Sequence, residues 1–328
     1  MSLIPFSLTA YALPHVLGYL ATKDGVPNPS PLTPLGFLDA AKAYNLAGVD
    51  MPLPESLSAQ ALCDALGERG LGLVVEGMSV LEMHDAEAYL AKAAASGAKV
   101  VRFTLSSILC GDRRKLGNGG WFSRREALAK RIAPLLPLAT DLDLSLAFEN
   151  HQDADTSDFL WLYEKTGSHP AFGVCLDAGN PLAVGEDPVE TARTLAPLIR
   201  HLHGKDYTIH YAPEGYRLVR CAAGKGVVDF PAILALLRAN GFAHLLPGIE
   251  IAAQATRTIP LLEDSWWAEY PERDVRTLMP ALRILWEKGR PQSEPYSSAW
   301  ERGEGSEVVV AEEWKLAKES VAYFGRIR

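Results

Sequence analysis

The chain has 328 residues, 48% of them hydrophobic and 22% charged, the profile of an ordinary globular protein. Its net charge of −8 argues against a nucleic-acid-binding face, and no run approaches the roughly 18 apolar residues of a membrane span, which leaves small molecules as the expected partners. The four cysteines, Cys63, Cys110, Cys175 and Cys221, are scattered with no C-x-x-C pair and predict reduced thiols in a cytoplasmic protein.

Taken in chain order, the start (Met1-Ser2-Leu3-Ile4-Pro5-Phe6) has no basic n-region and reads as the entry to a strand rather than a signal peptide. Short β-like apolar runs then alternate with longer helical ones. Strands are expected at 6–13, 48–53, 71–78, 100–106, 144–151, 172–180, 199–207 and 246–252. Helices are expected near 33–45, 56–69, 84–96, 123–138, 154–167, 187–196, 230–241 and 275–289. Gly70, Gly97, Gly167 and Gly241 follow four of these helices, where a left-handed ending suits glycine. The proline-rich stretch 25–34 reads as a long loop, and 256–274 as a polar and aromatic excursion after the last strand.

Eight strands alternating with eight helices predict a (β/α)8 TIM barrel over residues 1–289, within the size of about 250 residues such barrels often reach as one unit. A doubly wound sheet would place a glycine-rich phosphate loop after the first strand, where Pro14-His15-Val16 stands instead. Beyond Gly289, a loop at 290–305 leads to a last helix near 306–324. Residues 290–328 are thus expected as a C-terminal helical extension packed on the barrel.

TIM-barrel active sites lie at the C-terminal ends of the strands. Four polar residues break the apolar runs there, one on each of strands 5 to 8: Glu149, Asp177, His203 and Glu250. Neighbouring strands run roughly 4.8 Å apart, so four such ends can converge on one ion. Three carboxylates and an imidazole make a mostly oxygen shell that suits Mn²⁺ or Mg²⁺ and admits Co²⁺ or Zn²⁺.

The ordered motifs E-N-H at 149–151, D-x-G-N at 177–180, H-x-K-D at 203–206, G-x-G-x-x-D-F at 224–230 and I-E at 249–250 resemble the xylose-isomerase-like TIM barrels of the sugar isomerase and epimerase superfamily. The resemblance runs over roughly residues 6–289. It implies one divalent ion held by Glu149, Asp177, His203 and Glu250, with Glu149 and Glu250 acting as acid and base on opposite faces of the substrate. The chemistry is coherent: a chelated carbonyl acidifies the adjacent C–H, and two carboxylates must then remove and return a proton. The chain departs from the ketose 3-epimerase pattern, with Asn180 where those enzymes place a histidine and Lys205-Asp206 then Ile209 where they place an arginine. Both missing groups touch substrate, which weighs against a simple free ketose.

Substrate contacts are expected from His151, on the same strand face as Glu149, from Lys205 as an anion partner, and from Asn180 and Arg102. Glu76 points at the same mouth, and Asp206 reads as a supporting or capping group. Arg217, Arg220 and Lys225 crowd the loop after strand 7 beside Gly224-Lys225-Gly226, a place where barrels often hold an anion, so Arg217 is expected to bind one. Trp266, Trp267 and Tyr270 are expected to pack on the C-terminal extension or a second subunit in a homo-oligomer, the alternative being a lid over a sugar ring.

The leading expectation is an isomerase or epimerase acting on a sugar or sugar acid through a metal-stabilised enediolate. The rival is a lyase on the same scaffold, a decarboxylase of a 3-oxo sugar acid or a dehydratase, with Lys205 or Arg217 holding the carboxylate. An apurinic-site endonuclease would need three zinc ions, more ligands than the eight histidines supply, and a DNA-facing surface. A barrel that only binds a metabolite would keep its function without metal.

Overall fold

The computed structural model describes residues 4–116, 119–242, 245–252, 254–292 and 296–327. Its strands are short and nearly wholly buried, as parallel strands covered on both faces must be. In chain order they are β1 (Ser7–Thr9), β2 (Gly48–Pro52), β3 (Gly72–Ser79), β4 (Val100–Thr104), β5 (Ser145–Glu149), β6 (Phe172–Asp177), β7 (Ile199–Gly204), β8 (Asp206–Ala212), β9 (Gly215–Cys221), β10 (Gly248–Ile249) and β11 (Arg257–Ile259). The first seven and β10 close into an eight-stranded barrel, β10 lying between β7 and β1. The expected (β/α)8 barrel is therefore the fold.

The helices are α1 (Pro34–Ala43), α2 (Ala59–Arg69), α3 (Ala86–Ala95), α4 (Gly120–Ile132), α5 (Leu135–Asp141), α6 (Thr156–Lys165), α7 (Pro188–Leu195), α8 (Phe230–Ala239), α9 (Met279–Lys288) and α10 (Ser306–Ile327). Side-chain oxygens of Ser58, Asp85, Asp155, Asp187 and Asp229 accept the free amides at the starts of α2, α3, α6, α7 and α8. Gly70, Gly97, Gly167 and Gly241 all take positive φ, as expected from their places after helices. The single helix expected at 123–138 is two, α4 and α5, divided at Pro134, whose ring supplies no amide to continue the ladder.

Two differences reshape the upper half of the molecule. The strand expected at 199–207 stops at Gly204, and the presumed loop after it is the antiparallel hairpin β8–β9, to which β11 adds a third strand. This small sheet covers a second apolar cluster containing Leu182, Tyr207, Tyr216, Ile259, Trp266 and Tyr270. Trp266 is fully buried there, its Nε1 donating to Cys110 O (3.0 Å), and Tyr270 Oη donates to Gly111 O (2.9 Å). The tryptophans thus anchor the excursion to the hairpin layer and the segment after β4, rather than packing on the C-terminal extension or covering a sugar.

The C-terminal helix is present, in a place the sequence did not disclose. α9 packs on the hairpin, with Tyr211 Oη donating to Leu285 O (3.1 Å) and Lys288 Nζ to Val227 O (3.1 Å). α10 instead fills the outer ring between α8 and α1, flanked by Phe230 and Tyr44, the position of an eighth barrel helix. Phe324 stacks on Phe6 with centroids 4.4 Å apart, and Gly204 leaves it room, since a Cβ there would come within 2.6 Å of its ring. The buried Glu313 carboxylate accepts from His15 N, Val16 N and Gln254 Nε2 at 3.0–3.1 Å, tying α10 to the loop after β1. Phe324→Ala should therefore cost about 3–5 kcal/mol of stability, read from denaturant unfolding; an unchanged midpoint would mean the barrel closes without α10. Among the described residues, no helix is long and apolar enough to cross a membrane.

Candidate metal centre and active-site cavity

Glu149 and Asp177 end β5 and β6, His203 is the penultimate residue of β7, and Glu250 directly follows β10. The register places Asp177 beside His203 and Gly248 on the other side of His203. One ligand atom from each of the four lies within 4.8 Å of every other. Gly248 faces the same interior, where a Cβ would meet Thr9 Cγ2 at 2.4 Å and sit 3.5 Å from His201 Nε2. The glycine before the last ligand is thus a steric requirement of the layer beneath.

The supports of these four are specific. Asp177 Oδ1 accepts from Gly179 N (2.9 Å) and Asn180 N (3.1 Å), leaving Oδ2 to face the centre. Asn150 Oδ1 accepts from Asp177 N (2.6 Å), and its amide donates back to Asp177 O (3.1 Å). Lys205 Nζ lies 2.7 Å from Asp177 Oδ2 and 2.8 Å from Glu250 Oε1. Arg102 Nη1 donates to Glu149 Oε2 at 2.6 Å, and its Nη2 lies 3.1 Å from Glu76 Oε1.

Asp50, in the middle of β2 and fully buried, is the residue sequence reasoning missed. Its Oδ2 lies 2.9 Å from both His203 Nε2 and His201 Nε2. That bond turns His203 Nδ1 towards the three carboxylates. Glu250 Oε2 is 2.8 Å from Nδ1, yet Nδ1 makes no hydrogen bond, the approach being off the N–H axis. The signal was an aspartate interrupting the run Gly48-Val-Asp-Met, on a strand with no ligand of its own. Carboxylates behind a ligating imidazole fix its ring and tautomer, and their loss typically costs about 10–100-fold in metal affinity. Asp50→Asn should show that loss in a competitive Mn²⁺ titration; wild-type affinity would return Asp50 to a purely packing role.

The electrostatics match a cation. Burial opposes ionisation of Asp50, but Arg102 and the two imidazoles outweigh it and hold the carboxyl below its ordinary range. Burial also opposes ionisation of Glu149 and Glu250, and Arg102 for the first, His203 and Lys205 for the second, drive both down. Asp177 is pushed up by burial, against the pull of Lys205. Glu76 goes the other way, raised to about 8 by burial and by the charges of Asp50, Glu250 and Glu149, which Arg102 only partly offsets. Burial opposes a charge on His203, but Cys175, Glu250 and Glu149 outweigh it and hold the imidazole protonated while no ion is bound. Ligation would displace that proton, and with Glu76 protonated four carboxylates then face the two cations Arg102 and Lys205. Two negative charges remain, and one divalent ion neutralises them. The donor set fits the ion.

Above the centre opens a cavity of about 810 Å³. Glu149, Glu250, Arg102, Glu76 and His151 line it, with Tyr11, Met78 and Tyr89 among its apolar walls. Of the residues expected to contact substrate, Arg102 and His151 line this cavity, and His151 Nδ1 has no hydrogen-bond partner. Lys205 does not line the cavity: its ammonium is buried between Asp177 and Glu250. Asn180 lies outside the lining too, its Oδ1 receiving Gln152 Nε2 (3.3 Å) and Tyr207 Oη (3.4 Å).

The basic loop after strand 7 is a further correction. Arg217 sits within β9, paired with His210 and Thr258, away from the cavity, and Arg220 forms an ion pair with Glu312 on α10. The amides of Gly224 (2.9 Å), Gly226 (2.9 Å) and Val228 (3.1 Å) already wrap the carboxylate of Asp206. The anion this loop holds is a side chain of the protein itself.

A model of the xylose isomerase-like TIM barrel family matches residues 38–270. The chain belongs to this family. It is 31% identical over 149 residues to 3-oxo-isoapionate decarboxylase of Pectobacterium atrosepticum, a stretch covering 43% of this chain and 52% of that one. It is 28% identical over 107 residues to the uncharacterised protein YihM of Escherichia coli, covering 33% and 32%. The matches therefore span only about half and about a third of these relatives. Among solved structures, D-allulose 3-epimerase from Methylomonas sp. superposes with a TM-score of 0.56 at 14% identity, over 100% of both chains. A xylose isomerase-like TIM barrel protein from Mycobacterium smegmatis, in complex with magnesium, gives 0.53 at 17% identity, over 86% of this chain and 95% of that one. At these identities the likeness shows the fold. The first of the two sequence relatives is itself an enzyme, a decarboxylase.

Proposed function

We propose that this barrel is a divalent-metal-dependent enzyme that decarboxylates a 3-oxo sugar acid, retaining the bond electrons on carbon as an enediolate and then protonating that carbon. The observation that carries the reading is the convergence of Glu149, Asp177, His203 and Glu250 within 4.8 Å beside a solvent-open cavity bordered by Arg102. Those four residues would hold the ion, with Mn²⁺ or Mg²⁺ best suited to an oxygen-rich set. When bound, the ion supplies Lewis acidity to the oxygens next to the reacting carbon. Lys205 fixes Asp177 and Glu250, Asp50 fixes the His203 ring, and His151 offers a free nitrogen to a substrate hydroxyl.

Loss of CO₂ is favoured over the expected epimerisation on two grounds. The chain is 31% identical over 149 residues to a 3-oxo-isoapionate decarboxylase. Decarboxylation also needs no base, only an electron sink and one proton donor, whereas epimerisation needs one of the two glutamates to start protonated. Epimerisation remains the second reading because Glu149 and Glu250 reach the cavity from separate strands and can flank one carbon. Incubating the Mn²⁺-loaded protein in D₂O with 3-oxo-isoapionate, other 3-oxo sugar acids, ketoses and ketose phosphates separates them. Release of CO₂ supports the first; deuterium uptake with all carbon retained supports the second; neither, across the panel, removes both.

A further inference from the structure

We infer that Glu76 is the acid that delivers the proton to the substrate carbon, an assignment that rests on the enediolate reading above. The geometry begins with β3. Glu76 is the register partner of Arg102, and the ladder shifts between Glu76 and Ser79, an irregularity that turns the strand end towards the cavity. Gly77 makes that turn tight, since a Cβ there would meet the Phe103 ring at 2.5 Å. One carboxyl oxygen, Oε1, lies 3.1 Å from Arg102 Nη2, while the other, Oε2, is buried and has no hydrogen-bond partner, although the residue lines the cavity. The same guanidinium binds Glu149 through Nη1 at 2.6 Å, so the free oxygen stands one guanidinium away from the metal centre.

Of the charged groups that act on Glu76 most strongly, only Arg102 is positive; Asp50 on β2, Glu250 beyond β10 and Glu149 at the end of β5 are negative. Tyr11, Tyr19 and Tyr89 face it from the loops and from α3. Burial among these groups keeps the carboxyl protonated up to about pH 8. In the step assigned to it, the C–C bond to the carboxylate breaks and CO₂ departs with the electron pair left on the enediolate. The enediolate carbon then takes the proton from Glu76 Oε2, leaving a carboxylate stabilised by Arg102. Water in the open cavity restores the proton, so one solvent proton is consumed for each CO₂ released.

The test compares wild type and Glu76→Gln, both loaded with Mn²⁺, on 3-oxo-isoapionate and the other 3-oxo sugar acids in D₂O. The expected result is unchanged metal content, a fall in kcat of about 10²–10⁴-fold, and loss of the wild-type decline in kcat above pH 8. Deuterium should enter the wild-type product at one face and the variant's product at both. Near-wild-type kcat with single-face deuteration in Glu76→Gln overturns the assignment. If wild type turns over nothing in the panel, the functional reading fails separately. The infrared carbonyl band of a protonated carboxyl then decides for Glu76: a band titrating near pH 8 and missing in Glu76→Gln upholds the protonated acid, and its absence from wild type overturns it.

Discussion

Glu149→Gln should lower turnover by about 10²–10³-fold while the protein keeps its fold and, at saturating Mn²⁺, its ion. The amide has the shape of the carboxylate but only one acceptor oxygen. In the native chain Oε2 receives Arg102 Nη1 at 2.6 Å while Oε1, 3.5 Å from His203 Nδ1, faces the ligand cluster. A glutamine can serve one of these two duties. If it keeps Arg102, its NH₂ is turned on the ion; if it keeps the ion, the buried guanidinium loses its strongest partner. Three other ligands remain in either case, so binding weakens without vanishing, whereas the ion or Arg102 is displaced from its place beside the reacting carbon. Steady-state kinetics at saturating metal, alongside elemental analysis, separate the two effects. Turnover within a factor of about ten of wild type would show that Glu149 is a spectator of the chemistry.

Lys205→Met carries the second large effect, and it is on stability before it is on catalysis. The ammonium is buried with 2% of its side chain exposed, bridging Asp177 and Glu250 at 2.7 and 2.8 Å. Removing one member of such a buried arrangement leaves uncompensated charge and typically costs about 3–5 kcal/mol. Here the two carboxylates left behind face one another as well as Glu149. A divalent ion replaces the missing charge, so the variant's deficit should be large in chelator and shrink as Mn²⁺ is added, by the linkage that stabilises any ligand-binding native state. Thermal unfolding with and without Mn²⁺ measures it. A variant as stable as wild type in chelator would mean that Lys205 does not hold the two carboxylates together.

What the sequence disclosed and what it withheld follow from the range of each interaction. The four residues of the candidate metal centre were legible because each interrupts an apolar strand at its C-terminal end, a local signal repeated on four successive strands. The helix boundaries were legible where a capping side chain or a terminal glycine marks them, as at Asp155 and Gly70. Asp50 was not, because its meaning lies in two histidines about 150 residues away that only barrel closure brings to it. Lys205 and Arg217 were misplaced for a related reason. Strand 7 reads as continuous through Tyr207, but it ends at Gly204, and the change of direction sends Lys205 down among the ligands and Arg217 out along a hairpin. The basic residues and glycines of that loop looked like an anion site, and the anion proved to be Asp206. α10 could be seen as a helix from its pattern, but its place in the ring depends on Phe324 finding Phe6 across almost the whole chain.

All of these readings rest on one divalent ion at the centre formed by Glu149, Asp177, His203 and Glu250. The most direct measurement is elemental analysis of the full chain after gentle purification and Mn²⁺ reconstitution, set beside the Asp177→Ala, His203→Ala double variant. About one ion per wild-type chain, absent from a still-folded double variant, is the predicted result. A wild-type chain that takes up no ion, or a double variant that binds as much as wild type, would contradict the account.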